Sequence, residues 1–426
     1  CEINDFKENR VVANSFKNAN IILDGILGTG FIPPMRRELV EKIGLLKRRC
    51  FGKIIVAVDC PSGIDCNTGA VSENSLAATL TVCMEAVKTG MLRFPAFNYV
   101  GEICAVDIGI LKKVKHDIRI EDIVIDNDLV LSKLPVRRNE DHKGSFGSVL
   151  VCGGSVNYPG APVFSARAAY QAGTGLVKTA VPERIFDLCA SQCLESTWLI
   201  LDDESGVISE SAVKVILKEM TRVKCLAIGP GLGTEDTTFR FFKGILLPNN
   251  GYDKSSGVGF ITNETSEKTT SNSYPALVID ADGLRLLARV PDWAKKVRHK
   301  LVLTPHPGEM SVLTGLSIDE IQQDRVEVCR RFATEWQQVI VLKGALTVIA
   351  SPDGRLAVCP IASSALAKAG SGDILTGLIA GLIAQGVSLY DAALAGVWIH
   401  ANAGLLATAE MKSERSVGIH EIIDHI

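Results

Sequence analysis

The chain has 426 residues, of which 22% are charged and 47% hydrophobic, and a formal net charge of −3. That length suits two or three domains, the composition is that of a globular protein, and so small a net charge gives no electrostatic ground for nucleic acid or an acidic membrane as a partner. The twelve cysteines contain no C-x-x-C pair, which reads as reduced thiols in a cytoplasmic setting. No signal peptide or membrane span is read: the longest apolar stretch, 374–384, is too short to cross a bilayer. The sequence opens at Cys1, as if inside a domain, so an upstream piece is expected.

In chain order, 20–24 (NIILD) reads as a buried strand and Gly25-Ile26-Leu27-Gly28-Thr29-Gly30 as a turn. Pro33 and Pro34 then start a helix to about Arg49. Residues 53–59 (KIIVAVD) form a second apolar strand, which ends in Cys60-Pro61-Ser62-Gly63-Ile64-Asp65, and 78–84 and 102–107 read as two more. Apolar strands alternating with helices predict a parallel sheet covered on both faces, with ligands beyond the carboxyl ends of its strands. Asp24, Asp59 and Ser62 fall at those ends.

From about 111 to 139 the pattern gives way to charge (KKVKHDIRIEDIVIDNDL, then Pro135 and Arg137-Arg138), so two domains, 1–115 and 140–426, are expected around a linker at 116–139. In the second, Ser148–Cys152, 176–181, Cys225–Ile228, Ala276–Ile279, Leu301–Leu303 and Val339–Leu342 read as strands. Their loops are GGS with Tyr158-Pro159-Gly160-Ala161, then GPGLG at 229–233, DADG at 280–283, TPHPGE at 304–309 and KGALT at 343–347. Turn chemistry explains the glycines and prolines. Lysine, histidine and aspartate recurring at the same edge point instead to one shared site. The polar run 249–275 reads as an inserted surface loop. Ser388 with Asp391 opens a helix to about Glu410, in which His400 reads as a packing residue.

The most informative stretch is 365–386, ALAKAGSGDILTGLIAGLIAQG. A small-residue loop, Ala369-Gly370-Ser371-Gly372, feeds an apolar helix whose Gly377 and Gly381 share a face on which a second backbone can pack closely. The free N–H groups and dipole of such a helix start make an anion site. Asp373 would repel a phosphate there, so it reads either as a helix cap or as a base that takes a hydroxyl proton while amides hold a phosphoryl group.

These motifs, in this order, make the second half resemble the NAD(P)H-hydrate dehydratases, relatives of ribokinase. LDGILGTG and DCPSGID make the first half resemble the NAD(P)H-hydrate epimerase domain. Together they resemble the bifunctional nicotinamide nucleotide repair enzymes. The resemblance implies an α/β chain of two domains, an incomplete Rossmann-like α/β/α layer structure followed by a ribokinase-like α/β/α domain. It implies ADP-dependent dehydration of the S form of NADH or NADPH hydrate, with ATP the other candidate nucleotide, Mg2+ and K+ as ions, and an epimerase-like domain interconverting R and S forms. Expected partners are these small molecules and further copies of the chain, not nucleic acid or membrane.

By the same resemblance, Asp373 is the catalytic base, with amides of Gly370, Ser371 and Gly372 at the phosphoryl group. The hydrated cofactor falls to Ala161, Gly231, His306 and Asp373, and the nucleotide to Lys343, Gly344, Ala345, Leu346, Thr347 and Gly372. Glu309 could reach magnesium through water. In the first half, Asp24 and Ser62 fall to potassium, Asp59 to substrate, and Gly28, Thr29, Gly30, Phe31, Ile32, Pro33 and Pro34 to its phosphates. Two departures stand out. Ser371 replaces a common threonine, and the family's upstream Gly/Asn-rich loop has no counterpart before Asp24, so slow conversion of the R form is expected. The alternative is a ribokinase-like kinase of a vitamin-precursor alcohol with a non-catalytic first half.

Overall fold

The computed structural model describes residues 19–110, 122–248 and 274–426. The chain divides between Ile120 and Glu121 into two units, each with its own sheet.

In the first unit, strands β1 (Ile21–Asp24), β2 (Ile54–Val58), β3 (Leu80–Met84) and β4 (Glu102–Val106) lie side by side in that order, all parallel. One face is closed by the cluster of Cys60, Ile64, Cys66, Cys83, Met91, Ala96 and Val100. The strand expected to be buried at 20–24 is instead an edge: Ile21 is 56% and Leu23 70% exposed, and Asp24 is its buried residue. Helix α1 (Arg37–Arg49) begins after the two prolines rather than on them. A residue before proline is held out of the helical region, and the Met35 amide is already donated to Ser72 Oγ at 3.1 Å.

The second unit is built on a ten-stranded sheet. Its strands are β5 (Asp122–Val124), β6 (Ser148–Cys152), β7 (Leu176–Pro182), β8 (Thr197–Leu201), β11 (Cys225–Ile228), β12 (Ala276–Ile279), β13 (Leu301–Leu303), β14 (Val339–Leu342), β15 (Val348–Ala350) and β16 (Leu356–Val358). A separate two-stranded hairpin, β9 (Asp203–Glu204) and β10 (Val207–Ile208), completes the numbering. The sheet order is β5-β16-β15-β14-β13-β12-β11-β6-β7-β8. It is parallel except at β14–β15 and β15–β16. Strand order reverses beside β6, so a crevice opens there at the carboxyl edge.

The expected linker at 116–139 is corrected from residue 122 on by this sheet; 116–121 lie outside the described residues. Residues of β5 pair with β16, and helix α2 (Asn127–Lys133) buries Val130 in the main core, with Lys133 3.3 Å from Asp391. The charged residues around these short elements face outward, which hid them. The polar run at 249–275 lies outside the described residues except for its last two positions.

The site is carried by helices α3 (Gly160–Gln171), α4 (Pro307–Thr314), α5 (Arg325–Trp336), α6 (Ser371–Ala384) and α7 (Leu389–Met411). Helix α6 is buried nearly all round, as expected of a helix without a polar face. Its glycines permit a close crossing with α3: a Cβ on Gly377 would stand 2.1 Å from the Ser165 carbonyl oxygen, and one on Gly381 2.9 Å from that of Ala169. Helix α7 starts on Ser388, whose side chain accepts from the Asp391 amide. By length and composition α7 could cross a membrane, a possibility the sequence reading passed over, but 61% of its apolar window is buried in the protein.

Gly377→Ala should therefore destabilise the second unit, because a backbone oxygen rather than a movable side chain occupies the space. The expected loss is about 1–3 kcal/mol, typical of an overpacked core, read from urea unfolding. An unchanged midpoint would show that α6 and α3 can separate freely.

Candidate functional site

Strands β14, β13, β12, β11 and β6 are consecutive parallel neighbours, so their carboxyl ends share one edge. In that order the edge carries Lys343, Thr304 to His306, Asp280 with Asp282, the GPGLG loop and the GGS loop. This is the shared edge the sequence pointed to.

At its centre lies a buried charge cluster. Lys343 Nζ is 2.5 Å from Asp280 Oδ1 and 3.8 Å from Glu309 Oε2, and the Asp280 side chain is 1% exposed. The second Asp280 oxygen accepts from Thr376 Oγ1 at 2.8 Å. Burial alone would lower the lysine's pKa, but the carboxylates of Asp280, Glu309 and Asp373 outweigh it and hold the ammonium above its ordinary value. Glu309 is pushed up to about 7 by burial, against the pull of Lys343.

Asp373 stands in the first turn of α6, entered through Gly370 in the left-handed region at φ 97°. Its own carbonyl accepts from Ser165 Oγ at 2.8 Å, which pins this turn to α3. Burial, and next the Asp280 charge, push the Asp373 carboxyl up to about 8, with Lys343 opposing. Of the amides expected to face a phosphoryl group, that of Ser371 is already donated to the Lys368 carbonyl at 3.2 Å. That expectation is corrected: among the described residues the Gly370 and Gly372 amides have no such partner. Gly372 lies directly over the ion pair, since a Cβ there would be 3.3 Å from both Asp280 Oδ2 and Lys343 Nζ. The Ser371 hydroxyl is within 3.0 Å of His400 Nε2, and burial pushes that imidazole down to about 4. His400 is thus a neutral packing residue, as read, with one polar partner.

The lysine loop turns sharply after β14. Gly344 has φ 150° and Leu346 φ 58°, and Thr347 Oγ1 donates to the Gly344 carbonyl at 2.9 Å. The Leu346 side chain is 4% exposed, so only its backbone is left to face a ligand. Arg325 on α5, which the sequence reading missed, donates to the carbonyls of Leu342 and Lys343 at 2.9 and 3.2 Å and so braces the loop. Its position 18 residues before Lys343 carries no local pattern.

His306 is the N-cap of α4. Its Nδ1 accepts from the amides of Gly308 and Glu309, while Glu309 accepts from the His306 amide at 2.8 Å. An accepting Nδ1 leaves the proton on Nε2. The signal was present in the sequence, because Pro307 at the first helical position and Glu309 at the third mark a helix start. Ala161 and Gly231 come together across the crevice: a Cβ on Gly231, at φ 64°, would be 3.1 Å from Ala161 Cβ. Asp282 ties the neighbouring loops by accepting from the Gly233 amide at 2.9 Å.

In the first unit Asp24 and Ser62 do meet. One Asp24 oxygen accepts from Ser62 Oγ at 2.6 Å, the other from the Ser62 amide at 2.8 Å. Asp59 does not cap a helix. It sits at φ 70°, accepts from the Met84 amide at 2.9 Å and forms an ion pair with Lys88. Lys88 was missed, and nothing in its local sequence marks it. The loop 28–34 is largely exposed, with Ile32 74% accessible.

A family model described as NAD(P)H-hydrate dehydratase matches residues 149–426, and one described as YjeF-related protein N-terminus matches 2–90. The bifunctional NAD(P)H-hydrate repair enzyme of Moorella thermoacetica is 35% identical over 409 residues, covering 96% of this chain and 72% of that protein. Its counterpart in Dictyoglomus turgidum is 33% identical over 409 residues, with 95% and 73% covered. Among solved structures, the ADP/ATP-dependent NAD(P)H-hydrate dehydratase of Bacillus subtilis, crystallised with ATP and Mg2+, is similar at a TM-score of 0.58 and 29% identity. It covers 72% of this chain and 97% of its own. With a dehydratase model over most of its length and a repair enzyme 35% identical across 96% of it, the chain belongs to the bifunctional NAD(P)H-hydrate repair enzyme family.

Proposed function

We propose that the second unit removes water from the S form of NADH or NADPH hydrate by way of a phosphorylated intermediate, with ADP as preferred phosphoryl donor. The observation that carries this is the placing of Asp373, a carboxyl held near neutrality, in the turn that presents the Gly370 and Gly372 amides beside Lys343. Hydroxide is a poor leaving group. In the proposed reaction Asp373 accepts the proton of the ring hydroxyl as its oxygen attacks the terminal phosphorus. The bond from phosphorus to the bridging oxygen breaks, and the shortened nucleotide departs. The ring C–O bond then breaks with its electron pair leaving on phosphate, and loss of an adjacent C–H proton to solvent restores the double bond.

A general base works best with a pKa near the working pH, which fits a carboxyl at about 8. Lys343 and the two amides would take up negative charge on the transferring group, at about 3 kcal/mol for a well-placed donor. His306, whose Nε2 lies 3.4 Å from Glu309 Oε1, and the Ala161–Gly231 contact would hold the nicotinamide end, while the lysine loop, 343–347, and Gly372 hold the nucleotide. Among the described residues no group of three or more His, Cys, Asp or Glu is arranged as a cage for an ion. Magnesium would arrive on the phosphates, keeping phosphate and water oxygens as ligands and reached through water by Glu309.

For the first unit we propose epimerisation of the R and S hydrates, with Asp59 at the substrate and the loop 28–34 at its phosphates. Potassium is proposed at Asp24 and Ser62. Their oxygens are adjacent but engaged with one another, so further ligands would have to complete the shell. The described cysteines are unpaired, in keeping with a reducing, cytoplasmic setting.

Asp373→Asn should keep nucleotide affinity and lower turnover about 100-fold or more; near-normal turnover rules the base out. Wild-type turnover should rise with pH through about 8, because the base acts only when deprotonated. A rate independent of pH across that range contradicts the assignment. Lys343→Ala should weaken nucleotide binding more than hydrate binding, and calorimetry showing unchanged nucleotide affinity removes the lysine from the phosphates. Asp59→Asn should slow use of the R form while sparing the S form; equal R rates dismiss that role.

A further inference from the structure

We propose that Asp280 is a positioning residue for the dehydration: its carboxylate clasps the Lys343 ammonium and the Thr376 hydroxyl at once, fixing the strand-end lysine to the helix that carries Asp373. The proposal rests on the roles given above to Asp373 and Lys343.

Three observations carry it. First, both oxygens of Asp280 are committed, one to Lys343 at 2.5 Å and one to Thr376 at 2.8 Å, and the two partners belong to different elements, β14's end and α6. Second, the carboxylate and hydroxyl are inside the protein and the ammonium is mostly so: Asp280 is 1% and Thr376 0% exposed, and the Lys343 side chain 18%. An ammonium and a hydroxyl there are costly without a partner. Third, the clasp lies where the phosphoryl group is expected, since Gly372 sits within 3.3 Å of both members of the pair when given a Cβ.

A carboxylate beside a phosphate site weakens phosphate binding by like charge. Its presence needs a compensating use, and the geometry supplies one. Thr376 is three residues beyond Asp373, one helical turn on the same face, so holding Thr376 also fixes where Asp373 points. The charged groups acting on Asp373 are Asp280 and Asp282 after β12, Lys343 after β14 and Glu309 on α4, while His400 of α7 bonds the adjacent Ser371. Asp280 is the nearest of the acidic contributors in effect, raising the proton affinity of Asp373 after burial itself. A pair that served folding alone would leave the turnover of a folded Thr376→Val variant near normal.

The test uses the full chain, the S form of NADPH hydrate and ADP, with turnover followed by absorbance of the reduced ring across the pH range. Asp280→Asn should lower turnover about 100-fold, the effect of a misplaced reacting group. It should also move the midpoint of the pH rise down by about 1 unit, because a negative neighbour of the base is gone. Thr376→Val, which keeps that charge, should lower turnover and leave the midpoint in place. A midpoint unmoved in Asp280→Asn overturns the proposal, as does full turnover in Thr376→Val. If Asp280→Asn does not fold, Thr376→Val decides alone. Asp373→Asn is run alongside. If it stays active, the base assignment fails and takes this proposal with it; if it is inactive while the Asp280→Asn midpoint stands still, the positioning role alone is wrong.

Discussion

Helix α6 can lie against α3 only because no side chain projects from Gly377 or Gly381 toward the α3 backbone. Everything at the site depends on that approach. It brings Ser165 of α3 to the carbonyl of Asp373, seats the first turn of α6 over the ends of β12 and β14, and sets Gly372 above the Asp280–Lys343 pair. A helix displaced by the width of a methyl group would carry the base away from the lysine, and small displacements of reacting groups are costly in rate.

The second constraint is electrostatic. Three carboxyl groups, Asp280, Glu309 and Asp373, act on one largely buried lysine. They cannot all be ionised cheaply, because like charges at close range in a low dielectric repel strongly. The arrangement resolves this unequally. Asp280 takes the direct ion pair, while Glu309 and Asp373 are raised toward neutrality, chiefly by burial. Two carboxyl groups raised together in one cleft, each by burial and charged neighbours, are a common mark of a functional site. In this site the same imbalance supplies a carboxyl able to exchange a proton near physiological pH.

Much of the second unit was legible in the sequence. Cys225–Ile228, Ala276–Ile279, Leu301–Leu303 and Val339–Leu342 are strands with the bounds read from their apolar runs, because buried strands admit no polar residue and stop at the first glycine, charge or hydroxyl, here Gly229, Asp280, Thr304 and Lys343. Other elements hid for physical reasons. The β15–β16 hairpin joins strands of three residues through Ser351-Pro352-Asp353-Gly354, a turn signature that was there to be seen. Strand β5 sits among charges and shows no period. The exposed apolar residues of β1 look like core until the sheet order makes that strand an edge. At the site, the motif residues were readable but their pairings were not. Asp280 meets Lys343 across 63 residues and Thr376 across 96, and Asp59 meets Lys88 across 29. No local pattern encodes such contacts; they exist only once parallel strands align their ends.

The account makes this chain a lyase on a kinase-like scaffold, with the phosphoryl group used and then lost. The most direct test is to supply the S form of NADPH hydrate with ADP or ATP and follow both the absorbance of the reduced ring and the release of inorganic phosphate. The account predicts that absorbance returns only with nucleotide present, with one phosphate released for each ring restored. A stable phosphorylated hydrate accumulating without recovery of absorbance would contradict it and make the second unit a kinase.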